Sequence, residues 1–126
     1  MTDARAQVGR AGEAAAAEHF LGLGYRVLDR NWQCLPIGEL DLVVSLGPVL
    51  VFVEVRSVTT RYLASPTLTV QPAKQQRVAR AADRYLRSYR GRWDSVRFDL
   101  VGVELKFGRV LRLEHIENAF VPEWAF

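Results

Sequence analysis

A chain of 126 residues that is 49% hydrophobic and 25% charged can bury one sizeable core, so residues 1–126 read as a single domain. No apolar stretch approaches the ~20 residues needed to span a bilayer, and Met1–Arg5 is not followed by the apolar core of a secretory leader, which points to a soluble cytoplasmic protein with no membrane partner. The single cysteine, Cys34, excludes an internal disulfide and any multi-cysteine zinc site. The net charge of +3 is modest but unevenly spread: Lys74, Arg77, Arg80, Arg84, Arg87, Arg90 and Arg92 fall in one segment, opposed only by Asp83 and Asp94. Clustered guanidinium groups suit phosphate, and a solvated helix face is the plain alternative.

In chain order, Ala4 to Leu23 has alanines, Val8 and Phe20 at helical spacing, with Gly22 and Gly24 as the stop. Tyr25 to Trp32 reads as a first strand. Gly38 to Leu46 and Val49 to Val55 are β-branched runs that read as a second and third strand, joined at Gly47-Pro48. Pro48 is awkward as the second residue of a two-residue turn, which favours a longer loop. Arg56 to Val70 lacks periodicity and reads as a mobile loop. Pro72 opens a second helix to about Arg90, with Val78, Ala81 or Ala82, Tyr85 and Tyr89 as its apolar stripe, so those tyrosines belong to the core. Val96 to Leu105 and Val110 to Ile116 are the last strands, turning at Phe107-Gly108-Arg109, and Trp124 and Phe126 lie in the tail. The order is α-β-β-β-α-β-β, an α/β or α+β sandwich.

Asp41 and Glu54 stand out because each carboxylate interrupts an apolar strand. If Leu46 pairs with Val49, counting back along both strands sets Asp41 opposite Glu54 on one face. Two facing carboxylates do not both ionise cheaply without a cation or a shared proton. Hard oxygen ligands of this kind suit Mg²⁺ or Mn²⁺ and do not suggest zinc. In the same register Glu39 faces Arg56, which fits either a cross-strand salt bridge or metal ligation. Asp99 reads as a partner of a nearby arginine, and His19 and His115 as structural.

Several motifs together carry a resemblance: Gly9-Arg10-x-Gly12-Glu13-x-x-Ala16, Asn31-Trp32, Gly38-Glu39-Leu40-Asp41-Leu42-Val43, Val51-Phe52-Val53-Glu54-Val55-Arg56, Lys74-x-x-Arg77, Arg97-Phe98-Asp99-Leu100-Val101 and Glu117-Asn118-Ala119-Phe120. Over nearly the whole chain the sequence resembles the bacterial YraN family, which is similar to archaeal Holliday junction resolvases and to the restriction-endonuclease-like superfamily with its PD-(D/E)xK site. The resemblance implies a restriction-endonuclease-like α/β domain, a central mixed five-stranded sheet flanked by helices. It further implies a Mg²⁺ or Mn²⁺ centre with Glu13, Asp41, Glu54 and the Val55 carbonyl as ligands. It implies hydrolysis of phosphodiester bonds in structured or branched DNA, with Arg10, Lys74, Arg77, Arg80 and Arg84 on nucleic acid, and a homodimer. In that superfamily a lysine two residues after the glutamate completes the site; here the position is Arg56, which holds phosphate but cannot act as a base. The chain has fifteen arginines and two lysines, so Arg56 fits an electrostatic replacement, and Lys74 is the candidate for a relocated ammonium. Val58 stands where the family usually has a second basic residue. The alternative implied by both departures is a catalytically degenerate nucleic-acid-binding module on the same fold.

Overall fold

The computed structural model describes residues 4–59 and 69–122. Trp124 and Phe126, and most of the segment read as a mobile loop, lie outside the described residues. Helix α1 spans Ala4–Gly22 and buries Gly12, Ala16, Ala17 and Phe20, one stripe at helical spacing. Its end is a Schellman arrangement: Gly24 takes φ 91°, its N–H donates to the Leu21 carbonyl, and the Tyr25 N–H donates to the Phe20 carbonyl. The hydrophobic contact that accompanies such a cap is the edge-on packing of Tyr25 on Phe20, centroids 5.0 Å apart. Gly24 is therefore the stop, and Gly22 is the last helical residue.

Strands β1 (Arg26–Cys34), β2 (Gly38–Leu46) and β3 (Val49–Val58) form an antiparallel meander. Contrary to the longer loop expected at Pro48, Leu46 pairs directly with Val49. The two-residue turn works because Gly47 supplies the left-handed residue at φ 57° and proline's fixed negative φ suits the second position of a type II′ turn. Helix α2 (Pro72–Ser88) then carries the chain to β4 (Ser95–Lys106), which runs parallel to β3, and a hairpin leads to β5 (Arg109–Ile116). The result is one mixed five-stranded sheet in the order β1-β2-β3-β4-β5.

Each face of the sheet has its own core. On one, Phe20, Ala16 and Ala17 of α1 pack on Leu42, Val44, Val51, Val53, Val101 and Val103. Gly12 permits the close approach, since a Cβ there would fall 2.8 Å from that of Ser57. On the other face, Val78, Ala81, Ala82 and Tyr85 of α2 cover Leu40, Val43 and Phe52, with Phe98, Leu100 and Phe120 completing the cluster. Tyr85 is 5% exposed and donates to Asp29 Oδ2 at 2.7 Å, so it is a core residue, as its place in the stripe implies. No helix among the described residues is long and apolar enough to cross a membrane.

Candidate functional site

Along β2 the side chains stop alternating. Val43 belongs to the α2-side core and Leu42 and Val44 to the α1-side core, yet Leu40 also packs on the α2 side. The spacing of three from Leu40 to Val43 requires an irregularity, and it falls beside Asn31 of β1, whose φ is 51°. The β2–β3 ladder follows the expected register from Leu46–Val49 to Leu42–Val53 and ends there. One residue on, where Asp41 would face Glu54, Asp41 Oδ2 accepts the Val55 N–H at 2.9 Å. A side-chain carboxylate thus stands in for a neighbouring strand's carbonyl, and β2 parts from β3 at this point.

Into the fork comes Lys74, from the first turn of α2, whose Nζ lies 2.8 Å from Glu54 Oε2. Gly38 lets that helix approach, since a Cβ on it would meet the Arg77 carbonyl at 3.3 Å. Glu39, Asp41, Glu54, Lys74 and Arg77 line a cleft of about 190 Å³. Glu54 is 5% exposed, and burial, then the charge of Asp41, pushes its carboxyl up to about 7 against the hydrogen bond and charge of Lys74. Burial also raises Asp41, opposed by the Val55 N–H and by Lys74. For Lys74, burial acts downward but is outweighed by Glu54 and Asp41, so the ammonium is held above its ordinary value. The site is short of positive charge even with Lys74 in place.

The remaining candidates fall into three groups. Glu13, half-buried on α1, accepts a hydrogen bond from the Asn31 side chain; burial raises it, and Asp41 and Glu39 add to the rise. It is therefore electrostatically linked to the pair. Among the described residues, however, no three or more His, Cys, Asp and Glu side chains converge as a ready-made metal group. Glu13 also borders, with Val8, Val55 and Ser57, a larger cleft of about 550 Å³ between α1 and β3. Arg56 and Glu39 do not pair across the strands as the register count implied: Arg56 Nη2 donates to the Thr69 carbonyl at 2.6 Å, and Gln33 Nε2 donates to Glu39 Oε2 at 3.2 Å. The reason is the same fork, since β2 is no longer alongside β3 at that level. Arg10, Arg80 and Arg84 are exposed on their helices, and Arg87 is paired with Asp83 at 3.2 Å.

Asp99 is fully buried and engages Arg97 through both carboxylate oxygens at 2.8 Å, the structural role its sequence neighbourhood implied. His115 and His19 extend that network, with His115 Nε2 2.7 Å from Asp99 Oδ2 and His19 Nε2 2.9 Å from His115 Nδ1. Asn31 is the site residue whose role sequence reasoning missed. Its signal was an asparagine inside a strand, a residue type that tolerates positive φ.

The chain matches the family described as "Uncharacterised protein family UPF0102" over residues 12–103. Among its relatives, the UPF0102 protein of Mycolicibacterium gilvum is 46% identical over 119 residues, covering 93% of this chain and 96% of that one. The UPF0102 protein of Pelotomaculum thermopropionicum is 46% identical over 121 residues, covering 95% and 100%. That of Myxococcus xanthus is 41% identical over 116 residues, covering 92% and 90%. The match includes Glu13, Asp41, Glu54 and Lys74, and with relatives aligned over nearly their full lengths the chain belongs to the UPF0102 family, the YraN family whose motifs it carries.

Proposed function

We propose that the fork between β2 and β3 is the centre of a metal-dependent endonuclease that hydrolyses phosphodiester bonds in structured or branched DNA. The observation that carries this reading is the meeting of two carboxylates, half-buried Asp41 and buried Glu54, with the Lys74 ammonium in one cleft at the foot of an arginine-bearing helix. The donors fit Mg²⁺ or Mn²⁺: two hard carboxylates suffice for an ion that keeps several waters, and a cation would relieve the burial and the Asp41 charge that together push the Glu54 carboxyl up. In this reading Asp41 and Glu54 hold the ion, the Val55 carbonyl is a further donor, and Glu13 adds negative charge from α1. The chemistry such an ion supplies is activation of a water and neutralisation of charge on the phosphoryl oxygens. Lys74, released from Glu54, is placed to meet a phosphate oxygen, and Arg77 flanks it. Arg56 contributes a fixed charge and holds phosphate, while proton abstraction at its position is excluded. The preference for branched DNA rests on the likeness to junction resolvases, as does a cytoplasmic homodimer.

A second reading, a nucleic-acid-binding module without turnover, is favoured by one specific feature: Lys74 already satisfies Glu54, and Arg56 is tied to Thr69 rather than aimed into the cleft. The deciding measurement is Mn²⁺-dependent cleavage of a synthetic four-way junction, with flapped and single-stranded DNA alongside. The expected result is cutting by the native protein and a loss of about a hundredfold or more in Glu54→Ala. Absence of cleavage on every substrate sinks the enzyme reading, and cleavage gained only in Arg56→Lys identifies the arginine as what silenced the site.

A further inference from the structure

Among the described residues the sheet has two unpaired edges, and they are not alike. On β1 the edge is broken in its middle by Asn31 at φ 51° and by a slip between Val27 and Asp29, irregularities that discourage another strand from pairing there. On β5 the one slip falls near the start, beside Leu111, and leaves Arg112 to Ile116 regular. Among the described residues no strand pairs with the outer side of β5. That strand also exposes apolar surface, with Val110 47% and Leu111 58% accessible, a combination that soluble proteins ordinarily avoid on an edge.

The charges on β5 make the edge self-complementary. If a second copy lies antiparallel across it with the twofold axis at Leu113, Leu113 faces its own counterpart, Arg112 faces Glu114, and Leu111 faces His115. Centring the axis one residue earlier instead sets Arg112 against Arg112, a like-charge pair that destabilises a sheet. Within the protomer these charges are uncommitted: among the described residues no ion pair engages Arg109, Arg112 or Glu114, even though Glu104 is the cross-strand neighbour of Arg112.

We infer that β5 is a homodimer interface, joining two copies through antiparallel strand pairing centred on Leu113 into one continuous ten-stranded sheet. The inference is independent of the nuclease reading, since it uses neither Asp41 nor Glu54. Its twofold axis is perpendicular to the sheet, so both α2 helices and both forks lie on the same side. The two β3 strands are then five strand spacings apart, roughly 24 Å before twist.

The test is sedimentation velocity on the full-length native protein, on Arg112→Glu, on Glu114→Arg and on the double charge swap, with thermal melting to confirm that each is folded. The native chain is expected to dimerise. Each single variant, which places like charges opposite one another twice, should weaken association at least about tenfold. The double swap should recover it. An equimolar mixture of the two single variants should form a heterodimer, because the glutamate introduced in one chain then meets the arginine introduced in the other. A native protein that stays monomeric, single variants that dimerise as well as native, or a mixture that fails to associate each overturns the inference. A dimer without nuclease activity leaves it standing, and activity in the monomeric variants leaves the nuclease reading standing.

Discussion

Glu54 is the residue at which folding and function pull hardest against each other. Its carboxyl is pushed up to about 7, mainly by burial, although Lys74 Nζ is 2.8 Å away. A carboxyl raised on folding binds its proton more tightly in the native state, so its contribution to stability is complete below the ordinary value of 4.5 and is lost as the pH rises through about 7. The metal-free protein should therefore lose up to ~3 kcal/mol between pH 5 and pH 8 from this group alone. Urea melts at the two pH values should show the loss in the native chain and its disappearance in Glu54→Gln. If the fork takes a divalent ion, Mn²⁺ should raise the native midpoint more at pH 8 than at pH 5 and leave Glu54→Gln unmoved. A native curve with the same pH dependence as that of Glu54→Gln would show that Lys74 already compensates the carboxylate in full.

At the scale of elements, α2 does two jobs with opposite faces. Val78, Ala81, Ala82 and Tyr85 seal one core, while Lys74 and Arg77 line the cleft and Arg80 and Arg84 continue outward in solvent. The row from Lys74 to Arg84 spans about 15 Å at the helical rise per residue. Replacing Arg77, Arg80 and Arg84 together by alanine should leave the fold intact and reduce the slope of log affinity for duplex DNA against log salt by about 2 to 3, because each lost phosphate contact releases fewer counterions. An unchanged slope would make this face a solvated one. The same helix shows how far the sequence could be read. Pro72, the apolar stripe and the register down to Leu42–Val53 were legible because each follows from a local period or a turn constraint. The fork was not, because periodicity gives no sign that a carboxylate will take over a backbone N–H. That single substitution of partners turned the expected Glu39–Arg56 bridge into two unrelated hydrogen bonds. The contact of Lys74 with Glu54 was within reach only through resemblance, since twenty residues of chain separate them.

Across the whole molecule, a polar network away from the fork ties the layers together. Arg97 grips Asp99 and donates to the Tyr25 hydroxyl at 2.7 Å, His115 bridges Asp99 to His19, and the Asn118 N–H donates to Asp99 Oδ1 at 3.1 Å. Strands β4 and β5, the end of α1 and the entry to β1 thereby share one buried carboxylate. With the Asp99 carboxylate accepting, His115 donates from Nε2, and a neutral His115 ring accepts at Nδ1 from His19 Nε2. A second proton on His19 must then go to Nδ1. Burial, then the neighbouring His115, lowers the His19 value, so the folded state resists that proton. A histidine lowered on folding contributes stability that is present above its ordinary 6.5 and lost as the pH falls through its folded value. This runs opposite to Glu54, so the two effects offset each other near neutrality in the native chain. The separation is made in the Glu54→Gln background, where stability should fall on acidification below about pH 6.5 and the further change His19→Gln should flatten that fall while costing some stability at pH 8. An acid limb that persists unchanged after His19→Gln would place the sensitivity elsewhere and leave the histidine pair a packing contact between α1 and the β5 edge.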